Sequence, residues 1–211
     1  LYGDVYGGSA LGQVSASDKT TMGNFYEGTV NGDVYGGGLG NDDHAAEVSG
    51  DVVVNIKGGV FKDATGAANA GYDSNAGGRV FGCNNANGSP KGDVTVNIYA
   101  TDHGSTPQTN LFPNDLNNPN NPGNITTVAQ LRDNKLLPQA YAINSVFGGG
   151  NLAAYIPDEV TSGDPHKATV HVYNCDNTIK DVFGGGNAAD VGTGNVLDLS
   201  VERSANTYVI V

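Results

Sequence analysis

Asp42 and Asp43 close the run Gly37-Gly38-Leu39-Gly40-Asn41-Asp42-Asp43 and are the sharpest candidates for metal chemistry in the chain. Gly-Gly-x-Gly-x-Asp is the opening of a repeat in which oxygens of consecutive turns wrap Ca²⁺, a hard cation that prefers carboxylate and carbonyl ligands. The apolar residue such a repeat needs next is replaced by His44, and the motif occurs once where stacked sites need tandem copies. An acidic turn without an ion is the simpler reading. Calcium at Asp42 and Asp43 stands as the one metal expectation, and no other cofactor is expected.

A second acidic set is Asp4, Asp33 and Asp181, each directly before a Val-aromatic pair. If equivalent positions stack, these like charges approach one another, which is unfavourable unless a cation or a hydrogen bond intervenes. Arg79 and Ser145 hold the same slot in other copies and would relieve the repulsion. The plainer expectation is that these carboxylates accept turn hydrogen bonds where a strand begins. His44, His103, His166 and His171 show no ligand spacing and read as surface residues. Cys83 and Cys175 fit one disulfide or two buried thiols equally well. There is no Gly-x-Ser-x-Gly nucleophile elbow. The glycine runs lead into neither Gly-Lys-Ser/Thr nor a helix, so they are not phosphate loops. No catalytic residue is expected. Asn87-Gly88-Ser89 and Asn124-Ile125-Thr126 match short glycosylation sequons, which arise often by chance.

The elements that must position these residues are repeats. One motif occurs five times: Asp4-Val5-Tyr6-Gly7-Gly8, Asp33-Val34-Tyr35-Gly36-Gly37-Gly38, Arg79-Val80-Phe81-Gly82, Ser145-Val146-Phe147-Gly148-Gly149-Gly150-Asn151 and Asp181-Val182-Phe183-Gly184-Gly185-Gly186-Asn187. A second motif alternates with it, as Gly50-Asp51-Val52-Val53-Val54-Asn55-Ile56 and Gly92-Asp93-Val94-Thr95-Val96-Asn97-Ile98. Weaker copies are Ala168-Thr169-Val170-His171-Val172-Tyr173 and Gly194-Asn195-Val196-Leu197-Asp198-Leu199. Its period of two is that of a half-buried strand, with Val94, Val96 and Ile98 on one side and Thr95 and Asn97 on the other. The step from one motif to the next is short, whereas the five Val-aromatic-Gly copies recur at irregular intervals. Short stacked rungs with variable loops on one flank account for both facts. Glycine suits the corners through positive φ or close backbone approach. Asn after the glycines suits a left-handed residue or a ladder of stacked amides. The fold expected is all-β: a β-solenoid, with a right-handed parallel β-helix as first choice and an antiparallel sandwich or barrel as the alternative.

Bulk composition agrees. Glycine makes up 32 of 211 residues, roughly twice the usual share, without the three-residue period of collagen. The hydrophobic fraction of 38% is too high for plain disorder. A formal net charge of -12 repels nucleic acid and anionic membrane, so neither is expected as a partner. No apolar run reaches membrane-spanning length.

Residues 101–140 interrupt the pattern. Their first half is rich in Asn, Pro, Asp and Gly, as in Pro113-Asn114-Asp115-Leu116-Asn117-Asn118-Pro119, and reads as a loop. Thr127-Val128-Ala129-Gln130 fits a helix-capping box, so a short helix is expected there, ended by Pro138. The whole of 1–211 is read as one repeat segment of a longer protein. It begins at Leu1 inside a rung and ends on the strand-like Tyr208-Val209-Ile210-Val211, and neither end carries a polar cap. More rungs or another subunit are therefore expected to continue from at least one end.

The runs Val146-Phe147-Gly148-Gly149-Gly150-Asn151 and Val182-Phe183-Gly184-Gly185-Gly186-Asn187, alternating with Val94-Thr95-Val96-Asn97-Ile98, resemble large repetitive, adhesin-like surface proteins of Gram-negative gut bacteria. The resemblance covers most of the chain outside 101–140 and carries over no catalytic residue. It implies a secreted or outer-surface location and a β-helical stalk. Gly7-Gly8-Ser9 and Gly82-Cys83-Asn84 depart from its triple glycine, which implies differently shaped corners. The function expected is therefore non-enzymatic, structural and adhesive, at the bacterial outer surface or outside the cell. The chain would associate with further repeats or copies of itself and with cell-surface glycans or proteins. The competing reading is a carbohydrate-active β-helix. A lyase would need clustered basic residues, which this chain lacks, and a hydrolase would need paired carboxylates, for which Asp42, Asp43 and Asp51 are the nearest supply. Passive glycan binding through Tyr26, Tyr72 or Tyr155 is a third reading, since tyrosine rings stack on sugars, though core or loop packing accounts for these residues equally well.

Overall fold

The computed structural model describes residues 1–62, 78–101, 142–160, 162–173, 179–192 and 205–211. Among these residues the fold is all-β, and they contain no helix. Twelve strands follow in chain order: β1 Val5–Tyr6, β2 Thr21–Phe25, β3 Thr29–Asn31, β4 Val34–Tyr35, β5 Val52–Ile56, β6 Val60–Lys62, β7 Arg79–Phe81, β8 Val94–Ile98, β9 Ile143–Phe147, β10 His166–Val172, β11 Ile179–Phe183 and β12 Ala205–Ile210. They form two five-stranded sheets, in the orders β1-β4-β7-β9-β11 and β2-β5-β8-β10-β12, with a small sheet of β3 and β6. Every strand pairing is parallel. The chain thus visits the two large sheets alternately, and each return lays a strand beside its predecessor.

Register follows the sequence motif. Val5 pairs with Val34, Val34 with Val80, Val80 with Val146, and Val146 with Val182. All five Val-aromatic-Gly copies therefore occupy one column of the first sheet. In the second sheet Val52, Val94 and Ala168 share a column, as do Val54, Val96 and Val170. The valines face inward, where Val34, Val54, Val80, Val96, Val146 and Val170 join Ile56, Ile98 and Ile143 in a continuous core. Each fully buried side chain of this kind contributes about 1.5–3 kcal/mol of hydrophobic stabilisation before entropy is counted. A smaller cluster of Val48, Val52, Cys83, Val94, Tyr155, Ala168 and Ala205 lies beside it.

The glycine corners work by close approach. None of the glycines in the five copies has positive φ, so the positive-φ option does not apply to them. A Cβ at Gly82 would strike the carbonyl oxygen of Gly148 from the next copy and the side chains of Val94 and Val96 from the opposite sheet. The two sheets converge at this point, and only a hydrogen atom fits between them. The ladder continues through the glycines, with Gly36 N–H donating to Phe81 O and Gly148 N–H to Phe183 O, both at 2.9 Å.

Other expectations meet a mixed outcome. Residues 194–199, read as a weak second-motif strand, lie outside the described residues, and the strand that extends the second sheet beyond β10 is β12. The insertion from 102 on and its helix at Thr127 also lie outside them, as do Cys175, His103, Tyr72 and Asn124. Strands β2, β3 and β6 were not anticipated.

Candidate functional site

Three side-chain columns run across the stacked strands, and each is built by the register just described. The first is aromatic. Tyr6, Tyr35, Phe81, Phe147 and Phe183 leave the first sheet opposite to the valines and stack with ring centroids 4.8–5.0 Å apart and nearly parallel planes. Tyr35, Phe81 and Phe147 are nevertheless buried. Offset-stacked rings at this spacing are worth about 0.5–1.5 kcal/mol per pair beyond their burial.

Beside the rings lies the acidic slot. Asp4 Oδ1 accepts a hydrogen bond from Asp33 N–H at 2.9 Å, and Asp33 Oδ1 accepts one from Arg79 N–H at 2.8 Å. The same device operates on the second sheet, where Asp51 Oδ1 accepts from Asp93 N–H at 2.8 Å and Asp93 Oδ1 from Lys167 N–H at 3.1 Å. Each carboxylate therefore clips the backbone of the following copy rather than its own turn. Gly92, in the Gly-Asp-Val that leads into β8, stands where a Cβ would collide with the Asp51 carboxylate. Tyr6 Oη donates to Asp4 at 3.1 Å and Tyr35 Oη to Asp33 at 3.2 Å. Burial, with the nearby carboxylates adding to it, pushes the Tyr6 phenol up to about 12 and Tyr35 higher still. Arg79 supplies the expected relief of charge: its guanidinium meets Asp33 Oδ2 at 2.6 Å and lies 5.1 Å from the Phe81 ring centre. Desolvation pulls the Arg79 pKa down, and hydrogen bonding and the charge of Asp33 outweigh it and hold it above the usual value. His166 Nδ1 lies 2.9 Å from Asp93 Oδ1.

Amide ladders form the second kind of column, as the sequence suggested. Asn55 Nδ2 donates to Asn24 Oδ1 at 3.0 Å, and Asn97 Nδ2 to Asn55 Oδ1 at 2.8 Å. On the other flank Asn187 Nδ2 donates to Asn151 Oδ1 at 2.9 Å, and Asn151 Nδ2 to Asn85 Oδ1 at 3.0 Å. The variant corner Gly82-Cys83-Asn84 is indeed different. Asn84 is fully buried and donates to Ala46 O at 2.7 Å and Asn87 O at 3.1 Å, in the place of a glycine. Cys83 is a free, buried thiol whose pKa is driven up by desolvation.

The third column lies one residue past the strands of the second sheet, where Tyr26, Lys57, Tyr99 and Tyr173 follow the paired positions Phe25, Ile56, Ile98 and Val172. Lys57 Nζ sits 5.0 Å from the Tyr26 ring centre. Tyr99 and Tyr173 stack at 4.7 Å with an interplanar angle of 6°, and His171 stacks on Tyr173 at 5.4 Å. Nothing in the sequence beyond the Val-x-Val register points to this column.

Asp42 and Asp43 form an exposed turn closed by Asn41, whose Oδ1 accepts from Asp43 N–H at 3.1 Å and His44 N–H at 2.8 Å. Among the described residues no group of three or more His, Cys, Asp and Glu side chains is placed to hold a metal ion. Asp51, the third carboxylate considered for hydrolysis, is engaged with Asp93 N–H. Tyr155 corrects the glycan-stacking expectation: it is fully buried, and its hydroxyl donates to Gly92 O at 2.7 Å. It packs in the smaller cluster with Val48, Val52, Cys83 and Val94. Tyr26 is exposed. The chain matches no family model, no curated protein and no solved structure.

Proposed function

We propose that the two large sheets are faces of a β-solenoid, a right-handed parallel β-helix, and that the chain is a non-enzymatic structural segment of an adhesin-like bacterial surface protein. It acts as a rigid extracellular stalk or fibre segment, joined to further repeats or copies at its ends and presenting its flank to surface glycans or proteins. The observation that carries this reading is the single column formed by Val5, Val34, Val80, Val146 and Val182 with their stacked aromatic rings. Stacking of near-identical units produces length and stiffness, because each unit contacts only its neighbours. The carboxylates of the acidic slots support it as well, since Asp4, Asp33, Asp51 and Asp93 serve the stack as backbone acceptors.

The test is protease shaving of intact cells of the source bacterium, followed by mass spectrometry of released peptides, alongside a depolymerisation screen on neutral and uronate polysaccharides. Peptides of this chain released before lysis, with no polysaccharide cleaved, are the expected result. Peptides seen only after lysis overturn the surface assignment, and cleavage of a polysaccharide overturns the non-enzymatic one.

A further inference from the structure

Tyr99 and Tyr173 are 40% and 57% exposed, and their rings lie face to face at 4.7 Å although 74 residues separate them in the chain. The pair is held from below by the parallel register of β8 and β10, in which Ile98 is paired with Val172. Tyr173 Oη also reaches Asn97 Oδ1 at 3.4 Å. We propose that this pair is a site of oxidative cross-linking, at which a peroxidase-type one-electron oxidant and hydrogen peroxide join the two phenols into a dityrosine.

The chemistry balances. Each phenol gives up one electron and its hydroxyl proton, and hydrogen peroxide takes both electrons and both protons to become two waters. The two phenoxyl radicals couple through ring carbons ortho to oxygen, forming one carbon–carbon bond. The hydrogens on those carbons then move to the oxygens and restore two phenols. The ring centroids already lie 4.7 Å apart on two exposed side chains, so rotation about χ1 and χ2 brings the ortho carbons edge to edge. The product would tie β8 to β10 covalently across the chain between them.

The molecule contains its own comparison. Tyr6 and Tyr35 stack at a similar distance, 5.0 Å, but Tyr35 is 2% exposed. Tyr26 is open to solvent, but its column neighbour is Lys57, which cannot couple. Proximity and access coincide at Tyr99 and Tyr173.

The intact chain is treated at low concentration with peroxidase and a limiting amount of hydrogen peroxide, then digested and mapped by mass spectrometry. The expected result is one dominant cross-link joining Tyr99 and Tyr173, two hydrogen atoms lighter than the summed peptides, with a yield independent of protein concentration. Tyr99→Phe and Tyr173→Phe keep the ring stack, and each is expected to abolish that product. Dominant coupling of Tyr6 to Tyr35, products that join separate molecules only, or no dityrosine at all would each overturn the proposal.

Discussion

Asp33 grips Arg79 twice over: its carboxylate accepts from the arginine backbone N–H at 2.8 Å and from the guanidinium at 2.6 Å. Both residues hold the same slot of adjacent copies. The Arg79 side chain is 33% exposed and that of Asp33 16%, so the pair is partly shielded from solvent. Breaking such a pair leaves a carboxylate facing Asp4 with its charge uncompensated. Arg79→Ala is expected to cost about 2 kcal/mol, below the 3–5 kcal/mol of a fully buried pair. Arg79→Lys recovers only part of it, because lysine lacks the planar fork. Urea unfolding monitored by circular dichroism checks the order wild type, Lys, Ala.

Glycines of different motif copies differ sharply in tolerance. Gly82→Ala drives a methyl into the Gly148 carbonyl and into Val94 and Val96, whereas a Cβ at Gly185 meets only Val191 Cγ2 at 3.9 Å. The first substitution is expected to cost about 3 kcal/mol or more, as overpacking against fixed backbone does. The second is expected to stay within about 0.5 kcal/mol, the range of open surface changes. Equal denaturation midpoints for the two variants would contradict the close-approach account of the corner.

Asn55 is the middle member of its ladder, donating to Asn24 and accepting from Asn97, and it is 8% exposed. Asn55→Ala removes two hydrogen bonds and strands one acceptor and one donor. A loss of about 1–3 kcal/mol is expected. Hydrogen exchange should place the local loosening on β5 and β8 rather than on the first sheet.

Alkaline pH has a defined effect. An unfolded tyrosine loses its proton near pH 10, whereas the folded chain holds Tyr6 at about 12, and Tyr35 and Tyr155 higher, chiefly through burial. Above pH 10 the unfolded state releases protons that the folded state keeps, so stability is whole below pH 10 and falls as pH rises past it. Tyr35→Phe removes one such group while keeping the ring. It is expected to shift the alkaline unfolding midpoint upward, read by phenolate absorbance together with circular dichroism.

Much of this architecture was legible in the sequence because the repeat carries its own register. Five Val-aromatic-Gly copies fixed the first sheet, and Val-x-Val marked β5, β8 and β10. Strand β2 escaped notice because Thr21-Met22-Gly23-Asn24-Phe25 places Gly23 at its central inward position, and it is a strand through pairing with β5. Asp4 and Asp33 were read as accepting turn hydrogen bonds at strand entry, whereas the backbone groups they bind lie 29 and 46 residues away. Such contacts cannot be seen by local reading. Tyr155 fitted sugar stacking and core packing equally well in the sequence, because nothing nearby signals the space it fills. Asp42 and Asp43 carried a calcium-like spacing, and in the structure their turn is closed by the Asn41 side chain together with backbone hydrogen bonds between Asn41 and His44.

The in-register column of Val5, Val34, Val80, Val146 and Val182 also bears on how such a chain grows over generations. Each copy meets a near-likeness of itself on either side, so a duplicated stretch of gene supplies a unit whose neighbours already fit it. Selection can lengthen or shorten the molecule by whole units without redesigning a single contact. It must instead keep every unit compatible with its own image, and in the column of Asp4 and Asp33 the next two copies carry Arg79 and Ser145 rather than a third and fourth adjacent carboxylate.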